Sequence, residues 1–203
     1  MNIEPNVFVI DDDEIVRDVL AQTIETGGFA VQTFPNAEAF IQDCTPEYQG
    51  CIILDVKMPG MDGPTLQKEL LQRGVRMPII FLSAHGNIPL TVRTIKAGAV
   101  DFLTKPVDTE MLMERIRMAF EINARLVEAT ERLAGLTERE HQVMMLAVQG
   151  KANKEIARDL DISPRTVEVH RSHIMQKTGA NSLLELADIV KELDKWNLPP
   201  GAS

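Results

Sequence analysis

The sequence predicts two folded units in tandem: an α/β, doubly wound five-stranded parallel sheet, followed by an all-α unit of four helices. Three observations carry this. Five short apolar runs alternate with amphipathic stretches through the first 120 residues, and after Gly135 only helical patterns follow. Charge is also unevenly divided. The 203-residue chain has a formal net charge of −9; residues 1–130 hold 19 acidic against 11 basic side chains, a net of −8, and residues 131–203 hold 11 against 10, a net of −1. Such a split points to two units with different partners.

The apolar runs are Val7–Ile10, Phe29–Phe34, Cys51–Leu54, Pro78–Leu82 and Val100–Leu103. Each is too short for a helix and the right length for a strand buried on both faces. Between them lie helical spacings such as Ile15, Val19, Ile24 and Leu66, Leu70. Gly27-Gly28, Gly74 and Gly98 fall where helices should end. From Met111 to Leu133 one long, charged helical stretch lacks Gly, Ser and Pro, so the last helix of the sheet unit is expected to continue as a helical linker. Beyond it, Thr137-x-x-Glu140 and Ser182-x-x-Glu185 are capping-box sequences, and Ser163-Pro164 places an N-cap residue before a first-turn proline. Four helices follow, near 138–149, 153–160, 164–178 and 183–193, and Lys195 to Ser203 reads as a frayed tail.

Composition narrows the function. Aromatic residues make up only 4%, so aliphatics and the ten Met must build the cores. No apolar run approaches the roughly 18 residues of a membrane span. Met1 to Glu4 lacks the basic region of a signal peptide, and Cys44 and Cys51 form neither a disulfide framework nor a metal cluster, so a cytoplasmic location is expected. The overall acidity, taken alone, argues against nucleic-acid binding.

Ligands of doubly wound sheets bind beyond the carboxyl ends of the strands. There the first strand ends in Asp11-Asp12-Asp13, the third in Asp55, the fourth in Ser83 and the fifth in Lys105-Pro106. Carboxylates, a hydroxyl and an ammonium therefore converge on one rim. Oxygen-only ligands suit a hard cation, best Mg²⁺ with retained waters. An aspartate beside such a cation and a lysine is a nucleophile for an incoming phosphoryl group. Singly, each residue has a plainer role: Asp13 can cap the helix from Glu14, and a Lys before Pro is commonly solvated. Four matching strand ends together favour the functional reading.

Val-Ile-Asp11-Asp12-Asp13-Glu14, Leu54-Asp-Val-Lys-Met-Pro-Gly-Met-Asp-Gly63, Phe81-Leu-Ser-Ala84 and Asp101-Phe-Leu-Thr-Lys-Pro106 resemble the receiver domain of bacterial two-component response regulators, over residues 5–122. The resemblance implies a flavodoxin-like fold in which Asp55 accepts phosphate from a histidine kinase. It also implies that Asp12, Asp55 and the backbone carbonyl of Lys57 bind Mg²⁺ (Mn²⁺ can stand in), with Asp11 acting through water. Lys105 and Ser83 then contact the phosphoryl oxygens, Phe102 is the switch aromatic, and the Lys105–Pro106 bond is cis. Haloacid-dehalogenase-like phosphatases share a strand-end Asp, but carry a second Asp two residues on, where this chain has Lys57. A free-standing enzyme is therefore not expected, beyond the receiver's own phosphorylation and dephosphorylation.

After a helical linker at 123–135, residues 136–195 resemble the LuxR/NarL-type DNA-binding domain. The resemblance rests on Leu136-Thr-Glu-Arg-Glu140, Gly150-Lys-Ala-Asn-Lys-Glu-Ile-Ala157, Ser163-Pro-Arg-Thr-Val-Glu-Val-His-Arg171 and Ile174-Met-Gln-Lys-Thr-Gly179. With Ser83-Ala-His85-Gly-Asn-Ile-Pro89 entering the fourth helix, the whole chain resembles regulators of the FixJ type.

A helical wheel of 164–178 adds independent support. Val167, Arg171 and Ile174 share one face with His170, expected to pack on the helix at 153–160, while Arg165, Val169, Ser172 and Gln176 share the opposite face, flanked by Glu168 and His173. Val169 can meet a thymine methyl in the major groove; Thr166, Lys154 and Lys177 suit phosphates. Glu168 is an acid where many relatives carry Lys: it can accept from a cytosine amino group but repels phosphate.

The resemblance further implies a homodimer on phosphorylation, across Val92, Lys96 and Asp101, binding double-stranded promoter DNA, with RNA polymerase a further partner. Two plainer readings accompany it: Val92 joins Ile88 and Ile95 on a core stripe, or the helical tail merely dimerises without sequence-specific DNA binding.

Overall fold

A computed structural model describes residues 6–45, 47–84 and 88–194. The expected entry to the fourth helix at His85–Asn87 and the tail from Lys195 lie outside the described residues. The order is β1 (Asn6–Ile10), α1 (Glu14–Thr26), β2 (Val31–Phe34), α2 (Ala37–Asp43), β3 (Gly50–Asp55), α3 (Gly63–Gln72), β4 (Ile79–Ser83), α4 (Ile88–Lys96), β5 (Asp101–Thr104) and α5 (Thr109–Ala134). Four further helices follow: α6 (Glu138–Val148), α7 (Asn153–Asp159), α8 (Pro164–Thr178) and α9 (Leu183–Asp194).

The five strands form one parallel sheet in the order β2-β1-β3-β4-β5. Alternation along each strand sends side chains to two cores. Phe8, Ile10, Leu54 and Phe81 pack with Phe40 and Leu66 on one face; Val7, Val9, Ile53 and Ile80 pack with Ile24, Leu112 and Ile116 on the other. The central strands β1, β3 and β4 are buried almost throughout, as their apolar runs require. The outer two are not: Gln32 and Thr33 of β2 and Thr104 of β5 are exposed. Burial on both faces was expected of all five runs; the strand order places β2 and β5 at the edges, where only part of each is covered. The glycines end helices as expected, with Gly28, Gly74 and Gly98 at positive φ.

The chain divides into two compact units between Arg125 and Leu126, within α5. The second unit therefore begins inside the stretch expected to be a linker. Its core joins Ala129 to Val143, Met144, Ile156, Val167, Ile174, Leu186 and Val190, with Leu133 packed against it. Arg132 binds the carbonyl of Thr178 at 2.8 Å and the Glu185 carboxylate at 2.7 Å. Apolar residues at one face of the stretch, together with this arginine, make it part of a folded core. No described helix is long and apolar enough to cross a membrane.

Candidate functional site

The sheet topology places the carboxyl ends of β1 and β3 side by side, with Ile10 opposite Leu54. Asp11 and Asp55 each follow directly on from that register. Lys105, just past β5, reaches back to both: its Nζ lies 2.5 Å from Asp11 Oδ2 and 2.5 Å from Asp55 Oδ1. The Lys105–Pro106 bond is cis, as the resemblance implied. The second Asp55 oxygen accepts from the Lys57 amide at 2.6 Å, and Asp11 Oδ1 accepts from the Asp13 amide at 3.1 Å. Asp13 itself caps α1, accepting from Ile15 and Val16.

Asp11 and Asp55 are both buried, and Asp12 is exposed at the rim. Burial lifts Asp55 above the ordinary carboxylate range, Lys105 opposes the rise, and the negative charge of Asp11 adds to it. For Lys105 burial works downward, but hydrogen bonds and charge from Asp11 and Asp55 outweigh it and hold the ammonium above its ordinary value. The result is a charged lysine clamped between two carboxylates. Ser83 is buried at the end of β4, and the Lys105 amide donates to its carbonyl at 2.8 Å. Phe102 is half-buried with its ring 6.4 Å from that of Phe81.

Three carboxylates (Asp11, Asp12 and Asp55) against one ammonium leave a formal surplus of −2, which matches a divalent cation. Among the described residues no three His, Cys, Asp or Glu side chains form a metal-holding group. A cation here would take carbonyl and water oxygens as well, which suits Mg²⁺ with its retained waters. The donor set therefore fits the expected ion.

One residue of this site, Arg17, lies outside the sequence motifs, and another, Gly63, stands in one without an assigned role. Arg17 donates to the Asp11 carbonyl at 2.7 Å, steadying the loop after β1. Gly63 opens α3 so close to β3 that a Cβ there would stand 2.5 Å from the Asp55 carbonyl oxygen. Its sequence trace is the motif from Leu54 to Gly63, in which Asp62 caps α3.

In the second unit, α8 is capped by Ser163 with Pro164 in its first turn, and the turn before it bends through Asp161 at φ 52°. Val167 and Ile174 are buried, and Arg171 donates to Asn153 at 3.0 Å, tying α8 to the start of α7. Arg165, Glu168, Val169, Ser172 and Gln176 are exposed, as the wheel predicts. Lys154 is exposed on α7; Thr166 is half-buried, its hydroxyl 2.8 Å from that of Ser163.

Lys177 is differently engaged from what the sequence suggests. Its Nζ lies 2.7 Å from Glu140, a buried carboxylate that completes the capping box of α6 with Thr137. The hydrogen bond from Lys177, then that from the Thr137 amide, pull Glu140 down to about 2. The ammonium is thus occupied within its own unit.

On the sheet unit, Val92 is 48% exposed, as are Ile88 and Ile95 to comparable or greater extents, so these three do not form a core stripe. Lys96 is exposed. Asp101 is half-buried: one oxygen accepts from the Phe102 amide at 2.7 Å, and the other is bound by Arg115 of α5.

A family model described as the response regulator receiver domain matches residues 7–117, and one described as bacterial regulatory proteins, luxR family, matches residues 134–190. The chain is 46% identical to the transcriptional regulatory protein FixJ of Azorhizobium caulinodans over 187 residues, 89% of each chain. It is 41% identical to the response regulator protein TodT of Pseudomonas putida, over 92% of this chain and 86% of that one. Among solved structures it is similar to the response regulator StyR (41% identity, 94% and 100% of the two chains, TM-score 0.58) and to full-length FixJ from B. japonicum (39%, 95% and 98%, TM-score 0.54).

Proposed function

Because the chain belongs to the FixJ-like response regulators, which join a receiver domain to a LuxR-type DNA-binding domain, we propose that Asp55 accepts a phosphoryl group from a histidine kinase in the cytoplasm and that promoter binding follows. The observation that carries the reading is Lys105 Nζ bridging Asp11 and Asp55 at the switch point of the sheet. An Asp55 carboxylate oxygen attacks the phosphorus as the bond to the kinase's histidine nitrogen breaks. Little covalent work falls to the protein in such a transfer, so alignment and charge neutralisation dominate.

Asp12, Asp55 and the Lys57 carbonyl would hold Mg²⁺, or Mn²⁺ in its place, with Asp11 reached through water. The ion, when bound, supplies positive charge against the incoming phosphoryl oxygens. Lys105 does the same from the other side and orients the Asp55 carboxylate through its hydrogen bond. Ser83 bonds the arriving group, which brings roughly −1.5 to −2 of charge. Its movement vacates space into which Phe102 turns, and the face bearing Val92, Lys96 and Asp101 changes with it. Two copies then pair on that face. Their α8 helices, with Arg165, Val169, Ser172 and Gln176 toward the bases and Lys154 and Thr166 toward phosphates, span a two-fold DNA site.

The test uses a small-molecule phosphodonor. The unsubstituted chain with Mg²⁺ takes up one phosphoryl group and gains DNA affinity. Asp55→Asn does neither, and Lys105→Ala takes up phosphate more slowly and gains less DNA affinity. Uptake and DNA affinity that are unchanged in Asp55→Asn would overturn the assignment.

A further inference from the structure

Glu168 is an acid on a surface that otherwise suits an anionic partner. It lies in the second turn of α8, 52% exposed, with its Oε2 3.1 Å from Nη1 of Arg165, itself 84% exposed. Val169, the next residue, is 42% exposed, a large apolar side chain among polar ones. Ser172 and Gln176 continue the face toward the C-terminus.

A carboxylate can only accept hydrogen bonds, and on the base edges of the major groove the donors are the amino groups of cytosine and adenine. Adenine sets its amino group beside the N7 acceptor, so one carboxylate oxygen would face a lone pair. Cytosine offers its amino group without that neighbour, and the guanine paired with it presents two acceptors, O6 and N7. Arg165 has donors to spare once Nη1 is on Glu168, and a guanidinium fork matches those two acceptors. The pair also cancels the charge that would set a lone Glu168 against the phosphates.

We infer that the Arg165–Glu168 pair reads a single C·G base pair, Glu168 accepting from the cytosine amino group and Arg165 donating to the guanine, with Val169 against the methyl of an adjacent thymine. This rests on the DNA-binding reading above and names its specificity.

The test selects bound duplexes from a library with a randomised window, using the full chain treated with beryllofluoride, and compares Glu168→Gln and Glu168→Ala. The unsubstituted chain enriches a C·G pair beside a T·A pair in each half-site. In Glu168→Gln, which both donates and accepts, that one position moves to A·T while the others stay. In Glu168→Ala the preference for C·G over T·A at that position falls roughly 10-fold. Far-UV circular dichroism confirms that both exposed-site variants are folded. If Glu168 serves only to complement the helix dipole, its variants lose a little stability and select the same sequences, and the inference is overturned. Enrichment of no sequence by the unsubstituted chain overturns the DNA-binding reading itself, a separate failure.

Discussion

At the scale of single residues, the proposed phosphoacceptor site depends as much on an absent side chain as on the charged ones. Gly63 lets α3 start against the end of β3; a Cβ would meet the Asp55 carbonyl at 2.5 Å and the Phe81 ring at 3.0 Å. Backbone and a buried ring cannot give way cheaply. Gly63→Ala is expected to cost about 2 kcal/mol of stability, in the range of overpacked cores, and to slow phosphoryl uptake at Asp55. Urea denaturation and a phosphodonor time course check this; a variant as stable and as fast as the parent refutes the packing argument. Asp11 and Lys105 were legible because the strand pattern put them at strand ends. Arg17 was not, since its bond is to a backbone carbonyl, and such a partner leaves no side-chain pattern in sequence.

At the scale of elements, α6 and α8 are joined by one buried carboxylate. Glu140 caps its own helix and holds Lys177 of α8, which the sequence offered instead to DNA. Removing its charge leaves Lys177 without a partner, and Glu140→Gln is expected to cost the helical unit about 2 kcal/mol at neutral pH. The pH dependence has a definite sign. Glu140 falls from an ordinary value of 4.5 to about 2 on folding, so its contribution is complete above 4.5 and is lost as pH falls from there toward 2. Thermal melts of parent and variant should differ at pH 7 and converge only at about pH 2 and below. A gap that persists at low pH assigns the loss to packing rather than charge.

The other element to change meaning is α5. Its unbroken helical pattern was plain, but Leu126, Ala129 and Leu133 look like any apolar stripe until α6, α8 and α9 cover part of it. Arg132 adds two bonds to that second core. Arg132→Ala should lower the stability of the helical unit, since the buried Thr178 carbonyl loses a charged donor and Glu185 its ion-pair partner. Hydrogen exchange separates the outcomes: faster exchange confined to residues 126–195 supports it, and none refutes it.

At the scale of the whole molecule, the proposed activation asks the acidic unit to create a dimer and the helical unit to exploit it. Exposed Val92, Ile95 and Lys96 are available for pairing, but Asp101 is held by Arg115 of its own chain. On the proposed dimer face, pairing of a second copy's Lys96 with Asp101 would require it to displace Arg115. Arg115→Gln is expected to raise the dimer fraction of the unphosphorylated chain severalfold in sedimentation, and beryllofluoride to raise it further. A monomer under all these conditions removes the dimer reading. The net charge of −9 also finds its place. Most of it lies in the first 130 residues, chiefly the sheet unit with the proposed phosphoacceptor site, while α8 carries Arg165, Arg171 and Lys177 against Glu168 alone. Averaging over the chain hid two opposite electrostatic tasks.

The sequence by itself determined the element order, the helix caps, the parallel sheet and the acidic rim, because hydrophobic period and capping chemistry act over a few residues. Tertiary structure alone decided which charges are free. Nothing local in the sequence separates a held Lys177 or Asp101 from an exposed Arg165. Folding sets Lys177 on Glu140 and Asp101 under Arg115, and leaves Arg165 at the surface beside Glu168. An ion pair across 37 residues of chain follows from topology, which no local pattern encodes.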